Sequence, residues 1–335
     1  MNKIDQLKEF SKILLEESSS DDILEKKSKE LASFFELLSC VKIPKEVNNE
    51  EHYETVLSKG VAVSPKVAAS CAVDFLRTSY FLRGIKKAID DLLSKNIDRP
   101  IEILYAGSGP YGTILIPLLP FFSSKELQVS ILDYHEESLE SLKNIVNLLD
   151  LKDYIKDFIQ TDATIYKQSD EKKFDLIISE TMAAGLEKEM QVPITLNLIS
   201  LLDQQNGILI PENILLKGKV LEPKDAFIPM GSTSYWDEGI ELGTIFEINK
   251  EKALELSKCI DDPYLMANEI SFPNDVDKSL RPFLITEIVV YDDIELNGYK
   301  STLNHILALT SSSDLNKPMN YIYDLDNTLG IRIKN

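Results

Sequence analysis

The chain is poor in cysteine. Cys40, Cys71 and Cys259 are the only three in 335 residues, far apart and odd in number. No CxxC pair or mixed Cys/His spacing occurs, which argues against a zinc site or a disulfide framework and for a reduced, metal-free protein. Basic charge is short as well: 36 Lys and Arg stand against 55 Asp and Glu, a net charge of −19. A nucleic-acid binder needs a basic face to neutralise phosphates, so no nucleic-acid partner is expected. The same field keeps the protein in solution and favours cationic ligands. Long hydrophobic runs are missing too. The longest, residues 114–122, is interrupted by Pro117 and Pro120 and falls far short of a membrane span. The first ten residues are charged and lack the apolar core of a signal peptide. A cytoplasmic protein with no membrane partner is the expectation. There is no internal repeat, one tryptophan (Trp236), and three histidines (His52, His135, His305) without a partner pattern.

Apolar residues, at 44%, suffice for substantial cores, and the length has room for about two domains. Residues 1–95 carry helical periodicity. Ile4, Leu7, Ser11 and Leu14 share a stripe widened by Phe10 and Ile13. Ser19-Ser20-Asp21-Asp22 breaks it and offers N-caps for a second helix through Leu24, Leu31, Phe34, Phe35 and Leu38. Packing on the body is the default for these helices; covering a site and pairing between subunits are the alternatives. Ser64-Pro65 opens a third helix carrying Asp74, Arg77 and Arg83, and a fourth is expected near residues 84–95.

From residue 101 strands and helices alternate. The pattern predicts strands at 101–106, 129–132, 158–160, 174–179 and 207–210, with helices at 111–119, 136–149 and 193–202. Strands that are apolar throughout, joined by helical crossovers, predict an α/β domain: a Rossmann-like, mostly parallel sheet covered on both faces. After Pro211 the texture changes to strands at 215–221, 242–248, 283–291, 302–309 and 329–333, with one helix at 250–259. This predicts a mainly antiparallel, β-barrel-like second domain. The expected organisation is 1–95 helical, 96–212 Rossmann-like and 213–335 barrel-like.

Gly107-Ser108-Gly109-Pro110-Tyr111-Gly112 follows the first of these strands and fits G-x-G-x-x-G. Glycines allow a tight turn and close approach of a ligand to the backbone. Asp133 ends the next strand, where a carboxylate accepts ribose hydroxyls. These features suit an NAD-dependent oxidoreductase and an S-adenosylmethionine-dependent methyltransferase alike; a plain strand–helix turn is the alternative without a ligand. Asp162 ends the third strand, where an acid accepts from an adenine amino group or simply closes a turn. Asp162, the late position of the glycine turn in the chain and the carboxylate-rich loop after the fourth strand favour S-adenosylmethionine.

That loop carries a resemblance. Ser179-Glu180-x-Met182-x-x-x-Leu186-x-x-Glu189-Met190 resembles the double-glutamate loop of the protein arginine methyltransferases. Asp74-x-x-Arg77-Thr78 resembles the family's D-x-x-R-T helix, and Gly207-x-Leu209-Ile210-Pro211 the strand leading into its β-barrel. The likeness covers residues 70–221. It implies that Arg77 pairs with the cofactor's methionine carboxylate, that Gly107 and Gly109 line its methionine and ribose, and that Asp133 holds the ribose. It implies that Glu180 and Glu189 clamp an acceptor guanidinium, with Glu187 competing for the second position, and that a homodimer forms. A guanidinium is planar with paired N–H donors and suits carboxylates on both sides. Nine residues apart, the two glutamates would point away from each other on one helix, so they converge only across a bend, for which Ala183-Ala184-Gly185 is suited.

The chain also departs from the family. Tyr105 stands where an acid is usual, and the paired aromatics upstream of the D-x-x-R-T helix are absent, Tyr53 being out of register. The Thr-His-Trp element is missing, with His305 inside a predicted strand. Tyr235-Trp236-Asp237-Glu238 is read as a core anchor with a solvated flank, a cation-binding rim being the alternative. The acceptor is therefore expected to be a cation, small or peptidic.

Overall fold

The computed structural model describes residues 2–44, 54–95, 98–168, 172–223, 239–273, 277, 279–298, 301–309, 318–326 and 328–334. His52, Tyr53 and the Tyr235-Trp236-Asp237-Glu238 segment lie outside them.

The N-terminal stripes fold as their spacing requires. α1 (Lys3–Leu15) is capped by Asn2, whose side chain accepts the Asp5 N–H, and α2 (Asp21–Leu38) follows. Leu7, Leu14, Leu31 and Phe35 are completely buried, because both helices lay their apolar faces on the α/β body. A hairpin of β1 (Thr55–Leu57) and β2 (Gly60–Ala62) leads to α3 (Pro65–Ser70). The single helix expected from Pro65 through Arg83 does not form. The chain leaves α3 through a 3-10 turn, Cys71–Val73, and Asp74 takes an extended conformation to cap α4 (Phe75–Ser94), accepting the Arg77 N–H at 3.0 Å. Gly84, expected at a helix boundary, sits inside α4. A Cβ there would lie 2.5 Å from Val290 Cγ1, so the glycine lets the helix approach the second domain. Arg83 donates to the Leu14 and Glu16 carbonyls and closes the C-terminus of α1.

The sheet is built from β3 (Ile101–Ala106), β4 (Leu127–Asp133), β5 (Ile155–Gln160), β6 (Leu176–Ser179) and β7 (Ile208–Ile210). Their order is β5-β4-β3-β6-β7 and every pairing is parallel. α5 (Glu136–Leu148) and α6 (Gln191–Leu198) are among its crossovers. The strand order reverses at β3, which opens a crevice at the carboxyl ends, the usual ligand position in such sheets. The helix expected at 111–119 is replaced by turns and a 3-10 helix, Ile116–Phe121. Pro117 in its first turn and Pro120 within it remove donors and crowd the preceding turn, so no α-helix propagates.

A cis peptide joins Ile210 to Pro211, and the second domain begins with β8 (Asn213–Leu221). β9 (Ile240–Asn249), α7 (Lys250–Leu256), β10 (Tyr264–Ile270), β11 (Arg281–Tyr291), β12 (Ile294–Leu296), β13 (Leu307–Ala308), β14 (Met319–Asp324) and β15 (Gly330–Ile333) follow. Two antiparallel sheets result: β12-β11-β8-β9 with β13 on β11, and β10-β14-β15. The strand expected at 302–309 is instead a 3-10 turn, Thr302–Asn304, followed by the short β13. α4 packs on β11 and β12, and Tyr291 donates to Asp91 at 2.9 Å. One continuous core runs from the N-terminal helices into both domains. No helix of the described residues is long and apolar enough to cross a membrane.

Candidate active site

A cavity of about 290 Å³ opens at the carboxyl ends of β3, β4 and β6, walled by β2, α3 and the 302–304 turn. Arg77, Gly107, Gly109, Asp133, Asp162, Glu180 and Glu189 all line it. Glu187 does not; its carboxylate pairs with Arg332 at 3.4 Å. Among the described residues no cluster suited to a metal ion occurs.

Two glycines of the turn need their left-handed conformation for different reasons. Gly107 has φ +71°, and a Cβ on it would lie 2.1 Å from Thr181 Cγ2, so two strand-end loops touch there. Gly109 has φ +60°, and a Cβ would meet only Ala68 within 4 Å; the bare backbone faces the cavity. Tyr111 is fully buried. Its hydroxyl donates to the Val41 carbonyl at 2.9 Å, which ties the turn to the segment after α2. Nothing in the sequence spacing marks that role.

Asp133 is 8% exposed and sits at the end of β4. Its two oxygens accept the Gly109 and His135 N–H groups at 2.8 and 2.9 Å. Burial pushes its carboxyl above the usual range, and those N–H bonds oppose the shift. One oxygen of Asp162 accepts both the N–H and hydroxyl of Thr164, so this acid closes a turn and also lines the cavity. Tyr105 is buried in the cavity floor, its hydroxyl driven away from ionisation by desolvation.

Arg77 reaches the cavity from the first turn of α4. It donates to the Cys71 carbonyl at 3.2 Å and forms a close ion pair with Glu180. The family resemblance implies different ligands for these two side chains; the structure puts them in contact, with Glu180 buried. Asp74, besides capping α4, accepts from Ser301 Oγ and from the N–H and hydroxyl of Thr302. This fixes the 302–304 turn beside Arg77 and places Thr302 and Leu303 in the wall, while His305 is exposed outside it.

The Glu180–Glu189 segment bends as its composition requires. Gly185 (φ +70°), Leu186 (φ +54°) and Lys188 (φ +64°) are all left-handed. The Glu189 N–H bonds to the Glu187 carbonyl at 2.7 Å, a tight turn about Lys188. The second domain holds this shape: Thr286 accepts the Gly185 N–H, Tyr323 donates to the Leu186 carbonyl, and the Lys188 N–H bonds to Leu329. From the other side the Val61 N–H reaches the Lys188 carbonyl. Gln191, 1% exposed, accepts the Thr181 N–H and hydroxyl and anchors the start of the loop.

Glu189 thereby enters a desolvated position. Burial raises its carboxyl from the ordinary 4.5 to about 7; Arg77 opposes this and Glu54 adds to it. Cys71, in the same wall, is also pushed up by burial. The cavity holds one guanidinium and four carboxyl groups, so its surplus charge is negative.

Together these features define a Rossmann-like domain followed by an antiparallel barrel-like one, with an acid-lined cavity at the strand ends. No protein-family model matches the chain, and no curated protein matches it in sequence. Among solved structures the chain is similar to Trypanosoma brucei PRMT1 in an enzyme–prozyme heterotetrameric complex with AdoHcy. The TM-score is 0.50 and the identity 12%, over 78% of this chain and 88% of that one. At that identity the likeness is one of fold.

Proposed function

We propose that the chain is an S-adenosylmethionine-dependent N-methyltransferase acting on a guanidinium, as in arginine, an arginine peptide or a guanidine-bearing precursor. The observation that carries the reading is the convergence of Glu180 and Glu189 in one cavity with Arg77 and the Gly107–Gly109 turn. The neighbour of similar fold is a methyltransferase complex with AdoHcy, which supports the cofactor. The residues present fit it: bare backbone at Gly109, a strand-end carboxylate at Asp133 and a guanidinium at Arg77 for its carboxylate. When bound, S-adenosylmethionine supplies an electrophilic methyl group on a sulfonium.

The chain's own residues orient the acceptor. Glu180, held by Arg77, takes one edge of the guanidinium, and Glu189 takes the other. Alignment of the nucleophilic nitrogen matters more here than a strong base. The nitrogen that gains the methyl loses one proton, and a carboxylate titrating near 7 is suited to receive it. The rival dinucleotide reading needs the pyrophosphate on a helix N-terminus directly after the glycines. Residues 113–121 form turns and a 3-10 helix there, which counts against it.

The test is incubation with labelled S-adenosylmethionine and a panel of amino acids, guanidines, amines and peptides, read by mass spectrometry. Glu180→Gln should lower turnover by about a hundredfold or more, with S-adenosylhomocysteine affinity retained. Arg77→Ala should weaken that affinity. Unchanged turnover in Glu180→Gln refutes the clamp. A cytoplasmic homodimer belongs to the same reading, and sedimentation as a monomer at working concentration removes the dimer.

A further inference from the structure

Residues 113–121 continue the 107–112 turn as further turns and a 3-10 helix, where a strand–turn–helix unit has an α-helix to fix its glycines. The turn is held from outside instead, by the segment that leaves α2. Ser39, at the C-terminus of α2, accepts the Val41 N–H at 2.8 Å, and its hydroxyl is hydrogen-bonded to that of Ser141 on α5. Ser141 donates to the Pro110 carbonyl at 2.8 Å, and Tyr111 donates to the Val41 carbonyl at 2.9 Å. Val41, Ser39, Ser141, Pro110 and Tyr111 thus close a circuit that is buried throughout.

The direction of every bond in it is fixed. A carbonyl only accepts, so the single hydroxyl proton of Ser141 goes to Pro110. The bond between the two serines then takes the Ser39 proton, and a lone pair of Ser39 receives the Val41 N–H. The Val41 carbonyl also lies 3.1 Å from Ser39 Oγ, but Tyr111 satisfies it. Bonds aligned in this way strengthen one another, and in a buried setting each lost member leaves a polar group unpaired. Phe35 of α2 adds an aromatic contact to Tyr111, with ring centroids 5.9 Å apart.

Pro110 and Tyr111 directly follow Gly109, whose bare backbone faces the cavity and whose N–H bonds to Asp133 at 2.8 Å. We propose that Ser39, Ser141 and Tyr111 are positioning residues that lock Gly109 in its binding geometry from the N-terminal helices, a role that rests on the cofactor reading above. Ser39 and Ser141 do not line the cavity and act only through the turn. Ser39 and Val41 also lie ahead of residues 70–221, the stretch that resembles the methyltransferase family, so this brace is the chain's own. With its links cut, the bound geometry of the turn becomes one of several, and apparent affinity falls with the fraction of chains that hold it. A loss of global stability does not do this, because a chain that stays folded binds as before.

The experiment is calorimetric titration of the full chain with S-adenosylhomocysteine, together with hydrogen exchange over residues 107–112. The proteins are wild type, Ser39→Ala, Tyr111→Phe, the double variant of these two, and Ser11→Ala. Ser11 donates to the Leu7 carbonyl within α1 and is completely buried, so its variant reports a stability effect away from the turn. Each single cut should weaken binding about fivefold and the double cut about twentyfold. Exchange in the ligand-free double variant should quicken and return to the wild-type rate at saturating S-adenosylhomocysteine. Ser11→Ala should melt lower and bind as wild type does. Circular dichroism reports folding. If the folded double variant binds within about twofold of wild type, this inference is overturned while the cofactor reading stands. Should the double variant fail to fold, Ser39→Ala decides by the same margin. An equal loss of affinity in Ser11→Ala also overturns it. If wild type does not bind the compound, both readings fall.

Discussion

The half-buried carboxyl of Glu189 gives a prediction whose size follows from the structure. In the folded protein it titrates near 7, against an ordinary 4.5. The gap is about 2.5 pH units, each worth about 1.4 kcal/mol. Between those two values the folded state binds more protons than the unfolded chain, so stability must fall as pH rises. The group favours folding most fully below about 4.5 and loses that contribution as pH passes about 7. The total is about 3.5 kcal/mol at most. Glu189→Gln keeps the shape and removes the titration. Urea unfolding of both proteins between pH 5 and 8 isolates the effect as a difference. The wild type should lose stability relative to Glu189→Gln by about 2–3 kcal/mol over that interval. A difference flat to within about 0.5 kcal/mol would show that Glu189 is solvated and the reasoning wrong. The same proton links to function. A cationic acceptor favours the ionised form, so its binding near pH 7 should release protons, and calorimetry in buffers of differing ionisation enthalpy should detect them.

Two further predictions concern the loop that carries Glu189. Gly185→Ala adds a Cβ 2.6 Å from Leu307 Cδ1 at a φ of +70°; it should cost at least about 1 kcal/mol and depress turnover more than S-adenosylhomocysteine affinity. Equal loss of both in a folded variant would mean that the bend serves general stability. Tyr323→Phe leaves the Leu186 carbonyl without its buried donor and should cost about 1–3 kcal/mol in urea unfolding; an unchanged midpoint would show the carbonyl satisfied otherwise.

The sheet strands were legible because their apolar runs are continuous and bounded by acids or glycines, and the five expected positions all became strands. What failed was local chemistry overriding periodicity. Residues 111–119 have helical spacing, but Pro117 and Pro120 remove the donors an α-helix needs. Asp74 looked like one polar residue within a helix; its side chain makes it a cap, so the helix starts there instead. Gly84 looked like a break, because nothing in a one-dimensional pattern announces that Val290, 206 residues on, needs the space. β10 was missed because its exposed residues leave Leu265 and Ile270 as its only buried positions, out of alternation. In the site, residue types at strand ends single out Gly107, Gly109, Asp133 and Asp162, and the resemblance adds Arg77, Glu180 and Glu189; all seven line the cavity. The sequence could not show the Arg77–Glu180 contact or the Asp74 bonds to residues 301 and 302, since each depends on side-chain direction.

The loop geometry explains why the two domains work as one site. Leu186 and Lys188 lack glycine's freedom, and each left-handed residue costs about 1–3 kcal/mol unless its surroundings over-determine it. Thr286, Tyr323, Leu329 and Val61 each supply one hydrogen bond to this stretch, worth about 0.5–1.5 kcal/mol apiece. Those four bonds are of the right size to offset two strained residues. Three of the four come from the second domain and one from the hairpin ahead of α3. The sheet alone can therefore position Glu180, which follows β6 directly and is held by Arg77. It cannot hold Glu189 in the cavity. The strand ends and the first turn of α4 thus carry Asp133, Glu180 and Arg77 by themselves, whereas Glu189 reaches the cavity only where the second domain bends the loop back.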